Sequence, residues 1–337
     1  TYVLESEALA AATAALAGDQ ETMQKHLQRC FECLLECREQ FQPTDCYLID
    51  MCLPSDQNSA DELNHLVSST PNLTLVSSGH ELKSFADASP ELTSAIQQAL
   101  DERRVSLMVG HYHELRTSLG SLSTLYSDVD AAQQWLHSLG EPEHFHWARR
   151  RFGLCSIIPA VVSLFELRSA LHVALDDGIY PDREQGQMQW QAADGRAVQA
   201  VSRIPMAIDG ASSFLRFADR FTESMQEDSA AVMLLARLPQ VQTPWLQDLR
   251  IAATYAPVLG SFVTMTEYAD LTGGQSSSTQ YDDGEYLSPF LIQSSVLKTE
   301  APVSSPATLH QLRSALESIA TIDGVSTILR PADITRG

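Results

Sequence analysis

The chain has 337 residues, 44% of them hydrophobic, enough to bury one large core or a core with a small appended domain. With 22 Lys+Arg against 43 Asp+Glu, its formal net charge of -21 repels phosphate backbones and anionic lipid, so neither nucleic acid nor a membrane is an expected partner. The longest apolar stretch, Ser156 to Phe165, is about half of the roughly 20 residues that a membrane-spanning helix needs.

Thr1 opens the chain without a methionine or a signal-like segment, which reads as a fragment boundary. Residues 5 to 17 are alanine-rich, and Met23, Leu27, Cys30, Leu34, Cys37 and Phe41 recur at three- and four-residue intervals, so two helices are predicted first. One straight helix cannot wrap an ion tetrahedrally, so the His26, Cys30, Cys33, Cys37 stripe reads as a packed face. Six cysteines, all but Cys155 within residues 30 to 52, suggest reduced thiols and a cytoplasmic setting. Nothing local supports Cys155 as a nucleophile.

From Asp45 the period changes. The run CYLIDMCL, ended by Pro54, has the pattern of a strand buried on both faces of a parallel sheet. Similar runs follow at Leu73 to Ser77, Val105 to Val109, Phe145 to Ala148, Ala170 to Leu175, Ala230 to Ala236 and Phe262 to Thr264. Between them lie helical patterns, clearest at residues 58 to 68, 90 to 103, 156 to 168, 211 to 225 and 245 to 254. This alternation predicts an α/β fold with parallel strands and crossover helices, a barrel or partial barrel. Met188 to Ile204 breaks the rhythm: MQWQ and VQAVSRI flank Ala193-Asp194-Gly195, a hairpin expected to project over the carboxyl-end rim. Leu271 to Gly284 reads as the exit from the α/β body, and Leu309, Leu312, Leu316, Ile319 and Ala320 form a helical stripe that needs a partner. The expected organisation is N-terminal helices over 1–42, the barrel over 43–272, a linker and extended segment over 273–300, and the start of a helical domain over 301–337. The helical ends offer protein contacts.

In α/β barrels the reacting groups sit at the carboxyl ends of the strands. Those ends carry His80 and Glu81; His111, His113 and Glu114; Arg149, Arg150 and Arg151; Asp176, Asp177 and Gly178; and later Arg203 and Arg237. Asp176 and Asp177 are the candidate catalytic carboxylates, although Asp-Gly after a strand is also an ordinary turn. The alternate spacing of His111 and His113 points two side chains toward one cavity, or leaves them as solvated loop residues. The arginine run either grips an anionic sugar or pairs with the aspartates across the mouth, and pairing is the expected arrangement.

At these residues the chain resembles the catalytic domain of the glycoside hydrolase family 38 α-mannosidases, and more broadly the glycoside hydrolase and deacetylase barrels, over about Asp45 to Thr272. The resemblance rests on Phe152-Gly153 with Pro159, on Trp190 and Asp194-Gly195 in the hairpin, on Val105 to Gly110, and on Phe262 to Tyr268. It implies a barrel, a carbohydrate substrate and a zinc ion. Where the family places its nucleophilic, metal-binding Asp, two residues before Phe-Gly, this chain has Arg150, which can neither attack an anomeric carbon nor bind a cation. The family's first-strand His-x-Asp ligands have no counterpart and would lie before Thr1; Ala236-Arg237-Leu238-Pro239 stands where a late-strand histidine ligand belongs. Leu175-Asp176-Asp177-Gly178 also resembles a polysaccharide-deacetylase strand end, without that group's His-x3-His pair. No cofactor or metal is therefore expected in this chain. Three functions fit: a divergent, α-mannosidase-like enzyme using Asp176 or Asp177; a degenerate barrel that binds a glycan through His80, Glu81, His111, His113, Glu114, Arg150, Trp190 and Arg203, with Trp190 as stacking surface; and an interaction module.

Overall fold

The structure, a computed structural model, describes residues 2–41, 44–116, 120–140, 145–165, 167–176, 178–181, 183–241, 243–273, 277–286, 294, 296 and 298–329. Two helices, α1 (Tyr2–Leu16) and α2 (Gln20–Phe41), pack on each other ahead of β1 (Asp45–Cys52). Then come α3 (Ala60–Ser69), β2 (Leu73–Val76), α4 (Gly79–Ala88), α5 (Pro90–Asp101), β3 (Val105–Met108), α6 (Leu122–Ser138), β4 (Phe145–Trp147), α7 (Ile158–Val162) and β5 (Leu167–Leu171). The second half holds β6 (Gln185–Gln191), β7 (Ala197–Ser202), β8 (Met206–Ala207), α8 (Ala211–Glu227), β9 (Ala230–Arg237), α9 (Pro244–Tyr255), β10 (Ser261–Phe262), α10 (Met265–Thr272), β11 (Ser278–Gln280) and α11 (Ser304–Leu329). Hydroxyl side chains start five of the helices. Ser59, Ser78, Ser89, Ser121 and Thr264 each accept a backbone N–H three residues on and so start α3, α4, α5, α6 and α10.

The strands form one mostly parallel sheet in the order β11-β6-β7-β5-β4-β3-β2-β1-β9-β8, with β10 paired to β1. The sheet curls as a (β/α)-barrel does but does not close. β1 is bordered by parallel β2 and β9, so it is an inner strand. Side chains alternate across it as the pleat requires: Ile49, Met51 and Leu53 join Val76, Met108, Leu171, Val201 and Leu234 on one face, while Leu48 packs on the other with Phe217, Phe221 and Leu249 of α8 and α9. A third cluster buries Leu75, Leu107, Trp147 and Trp190 with residues of α3 to α7. Asp50 lies in the middle of this apolar strand, fully buried, because Arg237 holds it through two hydrogen bonds of 2.8 and 2.9 Å and Arg250 through one of 2.6 Å.

Two expectations change here. The hairpin exists, turned by Gly195 at φ 86°, but β7 pairs in parallel with β5, Ala170 opposite Ala200. Its turn therefore lies at the amino-terminal end of the parallel strands, away from the rim, and its strands extend the sheet. The helix read over 156 to 168 is only α7, and β5 starts at Leu167, three residues before the predicted strand, because His172 to Leu175 already belong to the rim loop. The stripe read over residues 309 to 320 lies on α11, which has no buried residue and leaves Leu312, Leu316 and Ile319 on the surface. No described helix is long and apolar enough to cross a membrane, and all six cysteines are free.

Candidate functional site

The carboxyl ends of β2, β3, β4 and β5 converge on a charged cluster. Ser78 caps α4, which fixes its first turn and places Glu81 beside the rim: the Ser77 hydroxyl donates to Glu81 Oε2 at 3.1 Å, and Arg151 Nη2 reaches Glu81 Oε1 at 3.2 Å. Glu114, with a left-handed backbone at φ 47°, turns its carboxylate back into the protein. Its Oε1 accepts the Arg150 N–H at 2.8 Å and its Oε2 the Arg151 N–H at 3.2 Å. Burial pushes the Glu114 carboxyl up to about 6, against the opposing pull of the Arg150 amide and of Arg149 and Arg150.

Arg150 fills the mouth. Its side chain is 4% exposed, its Nη2 lies 2.9 Å from Asp176 Oδ2, and its Nη1 donates to the Pro54 carbonyl at the end of β1. The Asp176 N–H returns a hydrogen bond of 2.9 Å to the Arg150 carbonyl, so the expected pairing across the mouth is observed for Asp176. Asp177 lies outside the described residues. The neighbouring Phe-Gly and Asp-Gly motifs have a packing cause: Gly153 (φ 62°) and Gly178 (φ 93°) touch, and a Cβ on Gly178 would sit 2.1 Å from Gly153 N. The loops after β4 and β5 can cross only as glycines.

The other predicted site residues divide. His80 and His113 are exposed and their rings stand 5.1 Å apart, with His113 facing a cavity of about 580 Å³. That cavity is walled by Ser78, Glu81, Glu114, Arg151 and Phe152 and roofed by the segment from Thr299 to Arg313 at the start of α11. The Arg116 guanidinium lies 4.6 Å from the centre of the Phe152 ring.

His111 faces away, beneath α6. Its Nδ1 is 3.0 Å from Asp128 Oδ2, and burial pulls its pKa down to about 4, so a neutral ring pins the loop to the helix and contacts no cavity ligand.

Trp190 is fully buried and presents no ring face to a sugar. Its Nε1 donates to the Tyr286 hydroxyl at 2.9 Å, and that hydroxyl lies 3.1 Å from His172 Nε2. Arg203 is committed to Glu184, Glu227 and Asp228, the last at 2.7 Å, at the end of α8, and joins none of the described rim carboxylates. Sequence reasoning missed Asp128, which also accepts the His113 N–H at 3.0 Å, and the Tyr281 and Tyr286 cover over His172.

The zinc implied by the resemblance does not fit these residues. A guanidinium occupies the mouth and engages Asp176, β1 ends at Cys52 and is followed by Leu53-Pro54, and burial pushes the Cys52 thiol up to about 12, far from the thiolate that a metal takes. Among the described residues no group of three or more His, Cys, Asp or Glu side chains is placed to hold an ion.

No protein-family profile matches the chain, and no curated protein matches it. Among solved structures it is similar to an α-mannosidase from Enterococcus faecalis V583, with a TM-score of 0.54 and 13% identity over 70% of this chain and 30% of that one. It is also similar to a putative polysaccharide deacetylase from Mycobacterium smegmatis, with a TM-score of 0.50 and 11% identity over 71% of this chain and 94% of that one. The chain thus spans under a third of the mannosidase's length, and what it shares with both is the fold, a mostly parallel (β/α)-barrel-like sheet.

Proposed function

We propose that this chain is a carbohydrate-binding relative of the mannosidase and deacetylase barrels, one that recognises a glycan at the strand-end cavity without mannosidase-type hydrolysis. The observation that carries this reading is Arg150. Glycoside hydrolysis by paired carboxylates needs two acidic side chains flanking the scissile bond, one as proton donor and one as nucleophile or base. Here the mouth carboxylate Asp176 is locked 2.9 Å from a buried guanidinium, and Glu114 spends both oxygens on backbone amides. Neither is left as a free nucleophile.

Binding keeps its support. The cavity of about 580 Å³ falls within the roughly 300–1,000 Å³ of ligand sites and is lined by the Phe152 side chain, over whose ring the Arg116 guanidinium lies, beside charged and hydrogen-bonding groups, Glu81, His113 and Arg151. The solved structures of similar fold include carbohydrate-active enzymes. A glycan array probed with the purified chain, followed by incubation with an aryl α-mannoside, tests the reading. We expect a reproducible glycan signal that Phe152→Ala removes, and no released aryl group. Aryl α-mannoside turnover that Asp176→Asn abolishes would reject it in favour of a divergent glycoside hydrolase.

A further inference from the structure

We propose that the glycan of the strand-end cavity carries a carboxylate, as a uronic acid does, and that Arg151 is the group that grips it. This rests on the carbohydrate reading and adds the class of sugar. Arg149, Arg150 and Arg151 follow one another in the chain and do different things. Arg150 is buried and spent on Asp176 and the Pro54 carbonyl. Arg149, also buried, donates to the Leu115 and Arg151 carbonyls. Of the three, Arg151 lines the cavity. Its side chain is 45% exposed, and among the described residues its guanidinium meets one partner, Glu81, through Nη2 at 3.2 Å.

The inner wall of the cavity has donors left to offer and few acceptors. Glu114 gives one oxygen to the Arg150 amide and the other to the Arg151 amide. Glu81 gives one to the Ser77 hydroxyl and the other to Arg151. A guanidinium has donors in a planar fork and no acceptor, so Arg151, with Nη2 turned to Glu81, retains N–H groups for a second carboxylate. Beside it stand the Arg116 guanidinium, over the Phe152 ring, and His113, whose ring packs on His80 and Tyr112 and makes no hydrogen bond among the described residues. A sugar hydroxyl both donates and accepts, and its donor finds little here; a carboxylate only accepts, and matches the wall. The opposing charge is Glu300 on the roof, exposed to water that screens it. The net charge of -21 works against an anion at long range, so the preference is one of contact, read at about 0.15 M salt where the Debye length is about 8 Å.

NMR titration of the purified chain at neutral pH compares an α-linked manno-oligosaccharide with the same oligosaccharide after its primary hydroxyls are oxidised to carboxylates. The oxidised form should bind about tenfold more tightly than its parent. Arg151→Gln, which keeps an amide donor and loses the charge, should bring the ratio to about one, and Glu300→Gln should raise it. Should Arg151→Gln fail to fold, the Arg151 Nε–H resonance of the unaltered chain decides, and it should move further at saturation with the oxidised form than with its parent. An oxidised form that binds no tighter, a preference that survives Arg151→Gln, a ratio that falls in Glu300→Gln, or equal movement of the Nε–H resonance would overturn the inference. Acetate bound as tightly as the oxidised sugar would overturn it too, as an anion site without sugar recognition. A parent that binds with no gain on oxidation refutes the carboxylate preference and leaves the carbohydrate reading standing; if neither form binds, both fall.

Discussion

The Arg150–Asp176 pair should respond asymmetrically to removal of its two halves. Arg150 is 4% exposed and Asp176 is 32% exposed, so one charge has no access to water and the other does. Asp176→Ala leaves a buried guanidinium with the Pro54 carbonyl as its remaining acceptor in this pair of contacts, a loss on the scale of about 3–5 kcal/mol for a stranded buried charge. Arg150→Met keeps the aliphatic volume and lets the Asp176 carboxylate turn to solvent. Its loss is about 1–2 kcal/mol, the worth of the hydrogen bond to Pro54 and a partly screened pair. The double variant should resemble Arg150→Met alone, because the stranded charge is gone. Urea unfolding followed by far-UV circular dichroism measures all three. An Arg150→Met penalty equal to or larger than that of Asp176→Ala would refute the reasoning, as would a double variant less stable than either single one.

Asp50→Ala strands Arg237, whose side chain is 10% exposed, and should destabilise by about 3–5 kcal/mol; a urea midpoint within error of the parent would show that the Asp50 cluster does not tie β1 to β9 and α9. Stability should fall between pH 7 and pH 5 by about 2–3 kcal/mol. Burial lowers the folded pKa of His111 to about 4 and of His172 to about 3, from 6.5, so the unfolded chain takes up protons that the folded one refuses and stability is lost as pH drops below 6.5. Glu114, raised to about 6 from 4.5, binds its proton more readily when folded and offsets part of that loss; urea midpoints that rise toward pH 5 would contradict the balance. Gly178→Ala sets a Cβ against the Gly153 backbone at a φ of 93° and should lose about 3 kcal/mol or more in thermal unfolding, whereas a loss under about 0.5 kcal/mol would mean the two loops are not in contact.

What the sequence made legible was whatever acts locally. CYLIDMCL reads as a doubly buried strand because both of its faces are covered, and the hairpin is marked by Asp194-Gly195. The opposition of Arg150 and Asp176 followed from charge at adjacent strand ends. Long-range cover was not legible. The alternation in MQWQ sets Met188 and Trp190 on one face, but the residue that covers Trp190 and accepts its indole N–H hydrogen bond, Tyr286, lies 96 positions away. The alternate spacing of His111 and His113 suggests a shared face, yet the two part in space because Asp128, 17 residues beyond His111, captures the first; α6, which carries Asp128, went unread although Leu125, Val129, Ala132 and Leu136 share its buried face. The hairpin's end of the sheet depended on β7 pairing in parallel with β5, which no local pattern encodes.

Saturation-transfer NMR with a panel of α-linked manno-oligosaccharides on the parent chain, Arg151→Ala and Phe152→Ala, with the same tubes sampled for free mannose over several days, tests the central claim most directly. A glycan-binding fold whose mouth is filled by Arg150 predicts transfer to at least one oligosaccharide, loss of that transfer in both variants, and no mannose above the protein-free control. Mannose released by the parent and not by the cavity variants, or transfer that is indifferent to Arg151 and Phe152, would contradict it.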